Sequence, residues 1–173
     1  MKNIFKYLAA MAMCVALTGL VACDPEPDPQ PEPDTYTEST TYGIIYNEEY
    51  VAAGQTLVIH PTAEELNNDF STIELLLDNK TSDDITTTMK VEKTEGPDAM
   101  NDIMICYGET CKNGSCPWSS DPFILEPGIN YNMMIKFDYS PSLVTSKTTY
   151  RMTIGKGASF EDPQVIFINV NAQ

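Results

Sequence analysis

Apolar residues recur at every second position in short runs, cut off by turn-forming residues roughly every 8 to 15 positions, and this two-residue period restricts the chain to β-strands. The clearest run is 130–139. There Tyr131, Met133, Ile135 and Phe137 alternate with Asn130, Asn132, Met134, Lys136 and Asp138, so the first set is expected to face a core and the second water. Tyr150, Met152 and Ile154 share one face of 148–154 in the same way. In 164–170, Val165, Phe167 and Asn169 oppose Ile166, Ile168 and Val170, and either set suits the inside. Further strands are expected at 42–46, 55–60, 71–77, 85–93, 102–107 and 123–125. Ala53-Gly54, Pro61, the polar run 78–84, Gly96-Pro97-Asp98 and Glu126-Pro127-Gly128 separate them. Thr62 and Glu65 stand at capping-box spacing in 62–69, enough for one turn but not for a helix. About nine strands without a long helix predict an all-β fold, a sandwich of two sheets, with a closed barrel as the alternative. The segment 37–173 suits a single domain with one core.

Upstream of that domain the chain changes character. Lys2 and Lys6 precede an apolar run from Tyr7 to Leu20, which ends in Leu20-Val21-Ala22-Cys23. This is the pattern of a bacterial lipoprotein signal, residues 1–22, with Cys23 as the lipid-bearing residue. The apolar run is shorter than the roughly 20 residues that cross a bilayer and lacks a basic stop-transfer flank, which disfavours a permanent membrane span. Ordinary cleavage, leaving Cys23 as a thiol, is the other reading. Residues 24–34 alternate proline with acidic or polar residues, so 23–36 forms an extended tether of about 3.1 Å per residue that holds the domain some way from the headgroups. An acidic stretch directly after the lipidated cysteine also resembles the export tag of surface-displayed lipoproteins in Bacteroidetes. That resemblance implies an outer-membrane, lipid-anchored protein at the cell surface.

Charge removes one class of partner. The signal contains two of the ten basic residues and no acidic one, so cleavage leaves eight basic residues against 25 acidic, a formal charge of −17. Such a surface repels nucleic acid, whose binding depends on Lys and Arg.

The order of strands, turns and cysteines is familiar. Ile105-Cys-Tyr-Gly-Glu-Thr-Cys111, Phe123-Ile-Leu-Glu-Pro-Gly128, Met134-Ile-Lys-Phe-Asp-Tyr139, Thr149-Tyr-Arg-Met-Thr-Ile154 and Val165-Ile-Phe-Ile-Asn-Val170 follow one another as in the immunoglobulin-like domains of Bacteroidetes surface and secreted lipoproteins, which this chain resembles over most of 40–171. The resemblance implies an immunoglobulin-like β-sandwich of seven to nine strands. It implies a fold more than a function. Of five cysteines, Cys14 leaves with the signal and Cys23 takes the lipid, so Cys106, Cys111 and Cys116 remain in an oxidising compartment. The matching domains suggest Cys106 with Cys111. Pairing of Cys116 with either of the others satisfies chain length equally.

The third thiol is read as a buried bystander or the source of an intermolecular disulfide. A soft-metal site using Met104 or His60 is disfavoured by the wide spacing and the oxidising route, and no metal or cofactor is expected. Trp118, in Cys116-Pro117-Trp118-Ser119, is a candidate stacking platform for a sugar or an anchor at an interface, against the plainer reading that it caps the core. Asp78, Asn79, Asp83 and Asp84 lack the spacing of a calcium loop. His60 is the sole histidine and no nucleophile or phosphate-loop motif accompanies it, so catalysis is not expected. The function expected is a membrane-anchored binding or adhesion module presenting a long Cys-rich loop, from Cys106 to Asp121, to a glycan or protein. The alternative is a structural part of a surface assembly joined through edge strands or an intermolecular disulfide.

Overall fold

Two six-stranded sheets face each other, and their strands come from both halves of the chain. The computed structural model describes residues 35–65, 71–97, 103–139 and 147–170. The segment read as a signal, Cys23 and residues 24–34 lie outside those residues, as does half of the segment read as a helical turn, 66–69. The described strands are β1 (Tyr42–Tyr46), β2 (Glu49–Tyr50), β3 (Thr56–Ile59), β4 (Ser71–Asn79), β5 (Ile85–Glu95), β6 (Ile103–Tyr107), β7 (Thr110–Gly114), β8 (Trp118–Ser119), β9 (Phe123–Leu125), β10 (Gly128–Tyr139), β11 (Thr148–Lys156) and β12 (Glu161–Val170). The first sheet runs β2-β1-β4-β10-β6-β7. The second runs β3-β12-β11-β5-β8, with β9 also paired to β5. All pairings are antiparallel except β3 with β12. This is the expected sandwich, with more strands than nine because short pieces at the edges also pair.

The core follows from the alternation. Ile44, Leu75, Leu77, Ile103, Ile105, Ile135 and Phe137 point inward from the first sheet, and Met89, Val91, Tyr150, Met152, Ile154, Ile166 and Ile168 from the second. The Phe137 and Tyr150 rings meet edge to face with centroids 5.1 Å apart, a favoured aromatic geometry. In β12 the ambiguity resolves toward Ile166, Ile168 and Val170, all fully buried. Phe167 turns outward, and Tyr36 lies edge-on against it at 5.4 Å. Tyr36, read from sequence as the end of the tether, therefore packs on the domain.

A polar clasp ties the start of the domain to its last strand. Asp162 in β12 accepts hydrogen bonds from the Thr40 amide (3.2 Å), the Thr40 hydroxyl (2.8 Å) and the Thr41 amide (2.8 Å). The buried Gln164 accepts from the Ser39 amide at 3.0 Å and donates to the Val51 carbonyl at 3.2 Å. Because β1 and β12 belong to different sheets, these bonds hold the two layers together at the point where the chain enters the fold. The capping-box spacing is also used: the Thr62 amide donates to Glu65 Oε2 and the Glu65 amide to Thr62 Oγ1.

One expectation about β10 fails. Alternation places Tyr131 and Met133 inward; Met133 is half-buried and packs against the core, but Tyr131 is 69% exposed. Asn130 pairs with Leu77, but the next partner of β4, Leu75, meets Ile135, so residues 131–134 bulge out of the ladder. A bulge resets which face each residue takes, and it leaves Tyr131 outside while full burial resumes at Ile135.

Candidate functional site

The cysteine-rich segment, expected as a long loop, is a β-hairpin followed by a short strand. Tyr107 pairs with Thr110, leaving only Gly108 and Glu109 in the turn. Gly108 has φ +57°, a left-handed conformation that favours glycine at the head of such a turn. Cys106 and Cys111 then fall directly opposite each other, their Cα atoms 4.0 Å apart, and a disulfide joins them. Facing residues come closest at non-hydrogen-bonded positions of an antiparallel pair, which is where a cross-strand bridge fits. β7 is the outer strand of its sheet, with Thr110, Cys111 and Asn113 exposed.

The return of the chain braces this hairpin from below. Lys112 Nζ meets Asp121 Oδ2 at 2.5 Å, and that carboxylate raises the lysine's pKa above its ordinary value. The Asp121 amide donates to the Tyr107 hydroxyl at 3.2 Å. Between them Trp118 is 6% exposed, packed in the core and edge-on to Tyr107 at a centroid distance of 6.2 Å. A Cβ on Gly114 would lie 2.7 Å from its ring, so β7 closes over the indole. The position is that of a core cap and leaves almost no ring surface for a sugar to stack on. Cys116 stands outside the disulfide, half-buried and packed against the core.

The remaining sequence candidates do not converge. His60 is exposed just past β3. Asp78 is buried and accepts from the Tyr50 hydroxyl at 2.8 Å. Asn79 organises its own turn, donating to the Asp83 and Leu125 carbonyls and accepting from the Thr81 amide and hydroxyl. Among the described residues no three His, Cys, Asp or Glu side chains gather as a metal site requires.

Sequence reasoning missed the surface beside the hairpin. The bulged Tyr131 is the common wall of two cavities, one of about 490 Å³ reaching Ile124, Ile129 and Glu126, the other of about 260 Å³ reaching Ile45, Glu48 and Leu76. The hairpin turn abuts this surface, since a Cβ on Gly108 would lie 2.9 Å from the Met133 sulfur. The adjacent Met133 and Met134, two apolar residues in succession within an alternating run, were the signal that could have marked the bulge.

Neither a protein-family model nor a curated protein matches the sequence. Among solved structures, the N-terminal domain of PorA superposes with a TM-score of 0.56 at 13% identity, over 76% of this chain and 97% of that one. A PapD-like domain of human CEP192 gives 0.39 at 13% identity over 82% and 92% of the two chains. The CooA pilin subunit from enterotoxigenic Escherichia coli gives 0.37 at 11% identity over 77% and 99%. At these identities the likeness concerns the fold alone, an immunoglobulin-like β-sandwich.

Proposed function

We propose that this chain is a non-catalytic lipoprotein of the outer-membrane surface, anchored through Cys23, whose immunoglobulin-like domain binds a glycan or protein with the hairpin end of the sandwich. The observation that carries the reading is the Cys106–Cys111 hairpin, cross-linked within itself and braced by Lys112–Asp121. A rigid edge loses little entropy on association, which favours a presentation role over a flexible loop. The clasp at Asp162 supports the anchoring half, because it fastens the chain where a tether would pull.

Three measurements test the reading. Mass spectrometry of native protein should find diacylglycerol on residue 23, and Cys23→Ser should move the protein out of the membrane fraction; an unmodified residue 23 removes the anchor. Antibody labelling of intact cells should be lost on protease shaving, and a signal only after permeabilisation places the domain in the periplasm. Binding on a glycan or surface-protein array should weaken in the Cys106→Ser/Cys111→Ser double variant. A second reading, a structural part joined strand to strand, is favoured by the position of β7 at a sheet edge, where unpaired backbone groups accept a partner strand. Proline at Asn113 should abolish assembly on that reading and leave array binding intact.

A further inference from the structure

Tyr131 is the most exposed large apolar side chain among the described residues, and its surroundings set it apart from a stray surface residue. The bulge in β10 lifts it from the sheet. Ile124 and Ile129, 52% and 41% exposed, flank it on one side, and Leu76 and Met134, both half-buried, on the other. An exposed tyrosine flanked by aliphatic side chains, between two clefts that mix apolar and polar groups, is the composition of an interface hot spot.

The charges around it say what the occupant carries. Glu126 lines the larger cavity and Glu48 the smaller, and neither makes an ion pair among the described residues, whereas Glu74 is already paired with Lys136 at 3.2 Å. Glu48 also sits in a strained backbone. It is the second residue of the two-residue turn between β1 and β2, where Asn47 has φ +50° and Glu48 +67°. Such a turn favours glycine at that place, and a glutamate there is disfavoured. Strain kept where a side chain reaches a cleft points to a use for that side chain.

We propose that this surface docks a basic protein segment, which inserts an aliphatic or aromatic side chain beside Tyr131 and sets Lys or Arg against Glu48 and Glu126. The inference rests on the binding-module reading above and gives that module the chemistry of its partner. Complementary charge selects the occupant: a second copy would bring the same carboxylates, in a chain of formal charge −15, and anionic headgroups would be repelled.

Panning a random peptide library displayed on phage against the immobilised protein tests this. Enriched peptides should carry net positive charge around one large apolar residue. Their affinity should fall roughly tenfold or more in Tyr131→Ala and about threefold or more in Glu126→Gln, and it should weaken as salt is raised. Glu48→Gly should weaken binding while raising the melting temperature, a pairing that a merely structural glutamate would not give. Enriched peptides that bind Tyr131→Ala as well as wild type overturn this surface and leave the binding module standing. Neutral or acidic consensus sequences, or no enrichment, overturn the basic partner. A glycan signal or a concentration-dependent dimer, lost in Tyr131→Ala without any basic peptide, assigns the surface to a sugar or to a second copy and overturns the proposal too.

Discussion

Replacing Asp162 by asparagine should destabilise the domain at neutral pH by roughly 1.5 kcal/mol, and about half of that difference should disappear by pH 3. Burial works to raise the Asp162 pKa, but hydrogen bonds from Thr41, Thr40 and Ser39 outweigh it and hold the carboxyl at about 2, against an ordinary 3.8. A group with a depressed folded pKa stabilises the fold above its unfolded pKa and loses that effect as pH falls through the folded value. A shift of this size corresponds to about 2.4 kcal/mol at neutral pH, about 1.3 at pH 3 and about 0.4 at pH 2. Partial exposure of the clasp reduces the neutral figure to roughly 1.5 and the pH 3 figure to roughly 0.8. Asparagine is the suitable probe because it tolerates the left-handed backbone at this position, φ +45°, as aspartate does. Its amide nitrogen, however, sets a donor against the donors of Thr40 and Thr41. Urea unfolding of both proteins at pH 7 and pH 3, followed by Trp118 fluorescence, measures the difference. Glu92 also has a lowered pKa, through hydrogen bonds from Lys90 and Arg151, but its acid sensitivity is common to both proteins and cancels. A difference that is equal at the two pH values, or below about 0.5 kcal/mol at pH 7, refutes the reasoning.

The burial contrast between two aromatic residues gives a second test: Trp118→Ala should cost about 3–5 kcal/mol in chemical denaturation, and Tyr131→Ala within about 0.5. Reversal of that order would mean that the cap and the surface have been confused. Removing both Cys106 and Cys111 by serine substitution should cost about 2 kcal/mol, the chain-entropy value for so short a loop, and should speed amide exchange in β7 while the rest of the sandwich keeps its protection. Glu48→Gly should stabilise the fold by about 1 kcal/mol, read as a rise in the urea midpoint without a change in slope. A lower midpoint would show that the turn is not strained at Glu48.

Much of the fold was legible because alternation is a local property. Tyr150, Met152 and Ile154 share a face by covalent geometry, and all three are fully buried. Thr62 and Glu65, three residues apart, made the capping bonds that their spacing announced. Where a pattern left two answers, as in β12, the choice lay with what packs on the second face, and Tyr36 arrives there from more than a hundred residues away. The cysteine segment hid its hairpin because Thr110 to Gly114 is polar at most positions and carries no apolar alternation; β6 supplies the pairing instead.

The sequence by itself therefore determined the all-β class, the turns and most of the inward residues, since each depends on neighbours within a few positions. It also contains the acidic balance and the Leu20-Val21-Ala22-Cys23 pattern on which the proposed anchor rests. Only the tertiary structure decided that Trp118 is a cap and Tyr131 a surface residue. Register between strands far apart in the chain settles which side of a sheet each faces, and a bulge of a few residues in β10 is enough to exchange inside for outside.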